Sequence, residues 1–352
     1  MPTVPAARLE EIGRALFVAE AVPEDEARLI MRHLIEASLA GHDSHGVIAI
    51  PRYIDQIRKK HIVPGAQFKI VQETPATLVV DGQWGFGYVV TESVTKLLID
   101  KARQNGVAAA TVFHQGHIGR LASYPLMAAR AGMIGLITAD SGRGPKSVVP
   151  FGGAEPRLGT NPLSIAVPSD LDGPFFLDMA TSAVAAGKIG VAIARGQEVP
   201  KGWLIDRDGK ETTDPRRFRS GDAWLLPLGG SEGHKGYGLA AMVEVLCGIL
   251  TGLGFGVSST GVHNDGCFLA LFDVAAFRPL QSFKEEVADF AGFLNTTEPA
   301  KGSDAVLYPG ELEHRTAVER RSTGITVEPE TWNALVALAK EHSLDRLLGL
   351  SG

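Results

Sequence analysis

Apolar side chains recur at helical spacing through the first part of the chain. In the segment 6–21, Leu9, Ile12 and Leu16 fall on one helical face, which predicts an amphipathic helix. The segment 24–41 follows a proline, carries three acidic residues in its first turn and ends in glycine, which are typical signals of helix boundaries. The chain therefore opens with a helical segment.

Further along, short apolar and β-branched runs alternate with helical patterns. Strands are predicted at 68–80 in two pieces, 107–113, 133–138, 163–167, 175–178 and 267–273, and helices at 90–105, 119–130, 183–194, 236–250, 283–294 and 328–341. This alternation is typical of an α/β fold. We therefore predict three parts: an N-terminal helical segment (1–70), an α/β core for cofactor and substrate (71–305), and a C-terminal segment that packs back on the core (306–352).

Composition narrows the functional classes. The 352 residues carry a formal net charge of −6, with 45% hydrophobic and 21% charged residues. The sequence has neither the basic stripe typical of nucleic-acid binding nor an apolar stretch of membrane-spanning length. The two cysteines form no Cys-x-x-Cys pair, which fits a reducing compartment. We predict a cytoplasmic protein without nucleic-acid or membrane partners.

Chemistry-bearing residues gather where the second predicted helix ends. The segment 41–53 reads GHDSHGVIAIPRY, and a loop at this point can present side chains to a ligand. Two interpretations are open. His42, Asp43 and His45 are metal ligands, or His45 transfers a proton beside a redox cofactor.

A second pair of histidines follows the predicted strand 107–113. His114 and His117 could also supply two metal ligands, although neither pair has the HExxH spacing of metalloproteases. A structural role in hydrogen bonding is a third reading for either pair.

The usual dinucleotide fingerprint is poorly matched. The nearest G-x-G-x-x-A sequence begins at Gly236, but no predicted strand runs directly into it. Any dinucleotide site must therefore be built in another way. The glycines and lysine of the segment 233–238 suit a phosphate at a helix start. Asp178 is predicted at the end of a strand, where it either points into a crevice beside an imidazole or caps the next helix.

Taken together, these stretches resemble the malate/L-lactate dehydrogenase type 2 family, and within it most of all the hydroxycarboxylate dehydrogenase B group. The similarity covers nearly the whole chain and rests on six motifs in the family's order: DSHG at 43–46, HIGR at 117–120, FGG to LGTNP at 151–162, LDMATS at 177–182, GHKGYGL at 233–239 and PGE at 309–311.

The resemblance implies an activity and a cofactor. It implies a non-Rossmann, mixed-sheet fold that binds NAD or NADP, works as a homodimer and interconverts 2-oxo acids and 2-hydroxy acids of the malate, lactate or hydroxyphenylpyruvate kind. Reduction of a cyclic imine (pyrroline- or piperideine-2-carboxylate) or a ureidoglycolate- or diketogulonate-type reaction is the alternative within the family. A metal-dependent hydrolase that uses the histidine pairs is the alternative from another class.

The resemblance also assigns residues. It implies a protonated His45 as proton donor, assisted by Ser44 and Asp178, with His117 as a competing acid/base; no metal is expected. The cofactor-binding residues that it implies are His45, Gly119, Arg120, Leu121, Asp178, Met179, Ala180, Thr181, Ser182, His234, Lys235, Asn264, Pro309, Gly310 and Glu311. The predicted substrate-binding residues are Arg52, Arg120 and Thr160.

One position departs from the family's pattern. Imine reductases and several malate-type members place an arginine four residues after the DSHG histidine, and here that residue is Ala49. Imine reduction is therefore in doubt, and Arg52 or Arg120 is expected to bind the substrate carboxylate.

Overall fold

A computed structural model describes residues 1–140, 144–257, 262 and 264–348. Its α-helices are α1 Ala6–Ala19, α2 Glu24–Leu39, α3 Ile50–Arg58, α4 Gly87–Asn105, α5 Ser123–Arg130, α6 Ala186–Ala194, α7 Arg216–Ser220, α8 Gly233–Glu244, α9 Leu280–Asn295, α10 Glu311–Thr323 and α11 Pro329–Glu341. Its strands are β1 Thr3–Val4, β2 Lys69–Glu73, β3 Thr77–Gly85, β4 Val107–Gln115, β5 Met133–Ala139, β6 Leu163–Val167, β7 Phe175–Met179, β8 Leu204–Asp206, β9 Glu211–Thr212, β10 Ala223–Leu225, β11 Cys267–Asp273 and β12 Ile325–Thr326.

A seven-stranded mixed sheet forms the centre of the molecule. Its strand order is β2-β3-β4-β11-β5-β6-β7. The pair β3 and β4 is parallel and is connected through α4, whereas every other neighbouring pair is antiparallel. A Rossmann sheet is mostly parallel, so the prediction of an α/β, non-Rossmann fold with a mixed sheet is confirmed.

Helix α4 packs its apolar face against the sheet and ends at a glycine. It buries Val90, Val94 and Leu98 against the sheet, and each such side chain stabilises the fold by about 1.5–3 kcal/mol. Gly106 ends the helix in the left-handed conformation, with φ of 78°, which glycine adopts without steric cost. The chain then enters β4 and carries the HIGR motif to the strand's far end.

The N- and C-terminal helices share a second core. Leu16, Ile30 and Tyr53 from the N-terminal helices pack in one buried cluster with Ala317 and Leu335 from α10 and α11. Strands β1 and β12 pair and join the two ends of the chain. The C-terminal helices therefore support the helical segment that carries the DSHG loop. The three-part division at residues 70 and 305 stays a prediction.

Three local predictions differ from the structure. The strand predicted to end at residue 80 continues in β3 to Gly85, through an irregular register and positive φ values at Gln83 and Trp84. Between α6 and α8, where no strand was predicted, the chain forms a small sheet of order β10-β8-β9. The helix predicted from Gly236 begins at Gly233, so the G-x-G-x-x-A sequence lies inside it.

The helices were also compared with the thickness of a lipid bilayer. Within the described ranges, no helix combines the length and the apolar character that crossing a membrane requires.

Candidate active site

Two histidines that are distant in sequence stack on each other. His45 ends a short 3-10 helix, Asp43–His45, that follows α2, and His117 lies just beyond the end of β4. Their ring centroids are 5.6 Å apart and the ring planes are inclined by 15°. The histidine of the DSHG motif and the histidine of the HIGR motif therefore form one stacked pair of imidazoles.

Ser44 fixes one side of this pair. Its hydroxyl lies 3.0 Å from Nδ1 of His45. Helix α6 closely approaches the serine, since a Cβ atom added to Gly187 would lie 2.8 Å from Cβ of Ser44. A larger residue at 187 would therefore push on the loop that holds His45.

The electrostatic surroundings keep His45 neutral. Desolvation lowers the pKa of His45 to about 4, and the neighbouring His42 and the positive charges of Arg52 and Arg120 act in the same direction, while Asp265 opposes them. The imidazole is therefore uncharged at neutral pH in the free protein. A protonated His45 stays a prediction for the complex with substrate, since desolvation and the neighbouring guanidinium groups both disfavour the charged form in the free protein.

Arg52 lies directly against His117. Its Nη2 is 3.2 Å from Nδ1 of His117 and 3.3 Å from the hydroxyl of Tyr53. Ala49, where the resemblance places an arginine in imine reductases, is only 4% exposed and precedes Arg52 by three residues, about one helical turn. The cation of Arg52 is thus brought to the histidine pair although residue 49 has none.

Arg120 and Asp178 form the other charged pair near the site. Nε of Arg120 is 3.8 Å from Oδ2 of Asp178, and the guanidinium lies over the ring of Phe176. Asp178 also accepts a hydrogen bond from the backbone N–H of Ala122 at 2.9 Å. Burial raises the pKa of Asp178, against the effects of that hydrogen bond and of Arg120. Asp178 is therefore held by the guanidinium of Arg120 and by the backbone of Ala122.

Sequence reasoning missed Asp265. This buried carboxylate accepts a hydrogen bond from the backbone N–H of Ile118, inside the HIGR motif, at 3.1 Å. Its charge raises the pKa of His45. A polar pair, Asn264 and Asp265, just before a buried strand was the only signal that the sequence offered.

The residues of the metal interpretation have other partners. Asp43 accepts hydrogen bonds from both Nη atoms of Arg320, at 2.5 and 3.1 Å, and His42 lies 3.5 Å from Glu313. Helix α10 supplies both partners and so holds the DSHG loop in place. Among the residues that the structure describes, no three His, Cys, Asp or Glu side chains are grouped to hold a metal ion.

The second histidine pair is also divided. His114 has a φ of 52° and stacks on Trp84 at 4.9 Å, with Nδ1 3.3 Å from Asp81. His117 instead stacks on His45. The close spacing of His114 and His117 in the sequence therefore does not place them in one site.

Comparison with known proteins shows the family of the chain. The model of the malate/L-lactate dehydrogenase family matches residues 4–336. The chain belongs to that family. It is 35% identical to malate dehydrogenase from Pyrococcus horikoshii over 98% of this chain and 96% of the relative. It is 36% identical to hydroxycarboxylate dehydrogenase B from Escherichia coli O157:H7, over 96% and 93%. The crystal structure of malate dehydrogenase from Entamoeba histolytica superposes with a TM-score of 0.93 at 33% identity, covering 97% of this chain and 98% of that one.

Family membership confirms two of the predictions. The chain is a dehydrogenase of the malate/L-lactate type, and its family implies a nicotinamide cofactor. The residues present suit such a group. Two buried atoms, Nε of Arg120 and Oδ1 of Asn264, have no hydrogen-bond partner among the described residues, and buried polar atoms are costly unless a partner satisfies them. Both belong to the set that the resemblance assigns to the cofactor.

The LGTNP and LDMATS motifs are hydrogen-bonded to each other. The backbone carbonyl of Thr160 accepts hydrogen bonds from the N–H and the hydroxyl of Thr181, at 2.9 and 3.0 Å. Ser182 donates to the carbonyl of Val184. The LGTNP and LDMATS segments are thus joined through the backbone, where Met179 ends β7 and Ala180 follows it. Gly119 and Leu121 flank Arg120, and Leu121 is buried in the sheet's core.

The GHKGYG motif has a different form from the one predicted. His234 and Lys235 lie within the first turn of α8, with side chains 54% and 71% exposed. Lys235 pairs with Glu232 at 3.0 Å. The predicted glycine loop before the helix is therefore helical, and a cofactor phosphate here would compete with a carboxylate for the lysine.

The PGE motif is a structural junction. The carbonyl of Pro309 accepts from the N–H of Phe176 at 3.1 Å, and Gly310 has a φ of 98° with the carbonyl of Pro174 2.4 Å from where a Cβ would lie. Glu311 is buried and accepts from Asn295, Arg315 and the N–H of Tyr308. These contacts attach α10 to the edge strand β7. Contact with the cofactor stays a prediction for these three residues.

Proposed function

We propose that this enzyme interconverts 2-oxo acids and 2-hydroxy acids with NAD or NADP. The observation that carries the proposal is the stacked pair His45 and His117 with Arg52 against it. The arrangement combines imidazoles, which can move a proton or polarise a carbonyl, with a cation suited to a carboxylate. Cytoplasmic localisation is part of the same proposal.

The cofactor supplies the hydride chemistry, and the protein supplies binding, orientation and the proton. On the family pattern, the cofactor is held by the HIGR and LDMATS segments, by Asn264 and by the first turn of α8. The bidentate geometry of guanidinium and carboxylate makes Arg52 the partner of the substrate's carboxylate. Thr160 and Arg120 complete the substrate side.

Substrate binding changes the charge that His45 experiences. The free enzyme holds His45 neutral because the ring is partly buried and lies near the positive charges of Arg52 and Arg120. A bound carboxylate offsets those positive charges and raises the pKa of His45. The imidazole then takes up a proton and donates it to the oxygen of the reduced carbonyl. In the reverse direction, neutral His45 accepts the proton of the hydroxyl group.

A screen of substrates tests the proposal. Oxidation of NADH and of NADPH is followed by absorbance with pyruvate, oxaloacetate, 2-oxoglutarate, phenylpyruvate and glyoxylate, and with cyclic imine carboxylates as a separate arm. We expect turnover of at least one 2-oxo acid and little with the imines, because Ala49 replaces the family's arginine.

Three results would contradict this expectation. Turnover of imines alone would make the enzyme an imine reductase. Binding of NADH by fluorescence without turnover of any compound would make it a binding protein. Stoichiometric zinc or manganese together with no consumption of NADH would favour the hydrolase.

We also propose that the enzyme is a homodimer. Helix α8 and its continuation 245–249 present apolar side chains to solvent, with Met242 57%, Val245 40% and Ile249 52% exposed. These three residues fall at helical spacing, and the exposed Leu250 and Phe255 follow them in the chain. Exposed apolar side chains concentrated in one segment are typical of an interface, and a second copy is the proposed occupant.

Light scattering during gel filtration tests the dimer. We expect a dimer for the wild-type chain and a monomer for Ile249→Asp, since a buried, unpaired carboxylate is unfavourable in an apolar interface. The matched control is Val71→Asp, which places the same charge on an exposed valine of the edge strand β2. A monomeric wild type, or an Ile249→Asp protein that remains dimeric, contradicts the assignment.

A further inference from the structure

The two nitrogens of His117 have different surroundings. Nδ1 lies 2.7 Å from the hydroxyl of Tyr53 and 3.2 Å from Nη2 of Arg52. A guanidinium can only donate hydrogen bonds, so both contacts favour an acceptor at Nδ1. Because Nη2 of Arg52 also lies 3.3 Å from the hydroxyl of Tyr53, the shorter contact from that hydroxyl is the main one that fixes the acceptor role of Nδ1. In the neutral imidazole the proton then resides on Nε2.

Tyr53 is held so that its hydroxyl meets this nitrogen. The side chain is fully buried, with its ring edge-on to Phe86 and Tyr88. Its hydroxyl is 3.0 Å from that of Tyr88. Since Tyr53 has a single hydroxyl proton and gives it to His117, its oxygen accepts from Tyr88. The order of donation is therefore Tyr88 to Tyr53 to His117.

Burial keeps this order of donation fixed. It raises the pKa of Tyr53, and it raises the pKa of Tyr88 well above its usual range, so both hydroxyls keep their protons at neutral pH. A phenolate at either residue would reverse a donor into an acceptor. Neither forms in the range where the enzyme works.

Gly119 of the HIGR motif makes room for the same chain of hydroxyls. Its φ is +73°, and a Cβ atom there would lie 2.3 Å from the hydroxyl oxygen of Tyr88. Any side chain at 119 would displace Tyr88 and with it the donor to Tyr53. Gly119 and Tyr53 therefore both help to set the hydrogen bonds of His117.

From this geometry we propose that Tyr53 is a positioning residue that holds His117 as a neutral hydrogen-bond donor through Nε2. The inference rests on the proposed function and divides the work of the pair: His117 polarises the carbonyl of the 2-oxo acid, and His45 transfers the proton. Protonation of His117 at Nδ1 would sacrifice the hydrogen bonds from Tyr53 and Arg52 and place a positive charge beside the guanidinium. A neutral imidazole as electrophile also avoids a second proton transfer.

Nitrogen NMR of histidine-labelled protein tests the tautomer without any substrate. At neutral pH we expect an unprotonated Nδ1 and a protonated Nε2 for His117, assigned with the help of His117→Gln. In Tyr53→Phe, which removes one hydroxyl and keeps the ring, the signals should move toward a mixture of tautomers. The kcat of Tyr53→Phe on the 2-oxo acid should fall roughly tenfold or more, as expected when a partner that fixes a tautomer is lost, while the Kd for NADH is unchanged.

The matched control is Tyr124→Phe. Tyr124 is equally buried, and its hydroxyl donates to the carbonyl of Ile118 at 2.6 Å instead of to His117. A similar loss of thermal stability with no change of tautomer is expected. A protonated Nδ1 in the wild type, or a Tyr53→Phe protein with an unchanged tautomer, overturns the proposal. Because the NMR readout needs no turnover, it separates this failure from a failure of the 2-oxo acid assignment.

Discussion

Replacement of His45 by alanine should lower kcat for 2-oxo acid reduction by roughly 1,000-fold, within the range of about 10²–10⁴ that a general acid contributes. The stacked partner His117 cannot take over, because its Nδ1 is engaged by Tyr53 and Arg52. The Kd for NADH should change far less than kcat, since the proton donor acts on the substrate and the cofactor keeps its other proposed contacts. Steady-state kinetics and fluorescence titration measure the two quantities.

Glutamine separates the two histidines further. A glutamine amide can donate a hydrogen bond but cannot carry a transferable proton at neutral pH. His117→Gln should therefore retain clearly more activity than His117→Ala, whereas His45→Gln should be as inactive as His45→Ala. The control is His114→Ala, because His114 lies against Trp84 and Asp81 and away from the pair. If His45→Gln turns over normally while His117→Gln is inactive, the roles are reversed.

The sequence predicted the fold class correctly, because helices and strands depend on local patterns, whereas the site residues stay a prediction. Apolar periodicity placed the helices and strands, and the order of the six motifs pointed to the family. Those motifs named His45 and His117 as competing acid/base candidates, but the stacking of the two rings was not predicted. Their partners did not, since contacts such as those of Asp43 with Arg320 and of His117 with Tyr53 join segments that only the folded chain brings together.

Asp265 shows where sequence reasoning stops. It reaches the HIGR motif only because β11 inserts between β4 and β5 in antiparallel register. Strand order in a mixed sheet cannot be read from a run of apolar residues. Asp178, by contrast, was placed correctly near the end of its strand, but its recorded partners are Arg120 and Ala122. A position on a strand does not reveal which charge a carboxylate meets.

Replacement of Arg52 by glutamine should raise the KM for the 2-oxo acid roughly 100-fold, because a charged hydrogen bond contributes about 1.5–3 kcal/mol. It should also shift the pH dependence. Arg52 is one of the charges that lower the pKa of His45, so its loss raises that pKa. Oxidation of the 2-hydroxy acid needs neutral His45, which exists above the pKa. The acid limb of kcat/KM for oxidation, expected at about 4 when the free wild-type enzyme sets it, should therefore move to higher pH in Arg52→Gln.

Two companion variants make this result specific to charge at the site. Arg52→Lys keeps the positive charge and loses the bidentate geometry, so it should retain the low acid limb while KM still rises. Arg58→Gln removes a charge from the far end of α3, where Arg58 pairs with Glu20 and Glu341, and should leave both KM and the limb unchanged. An acid limb that does not move in Arg52→Gln, but does move in Tyr53→Phe, would mean that His117 rather than His45 titrates during turnover. This result would contradict the role of His117 as a neutral hydrogen-bond donor, because a group that titrates in this range does not stay neutral.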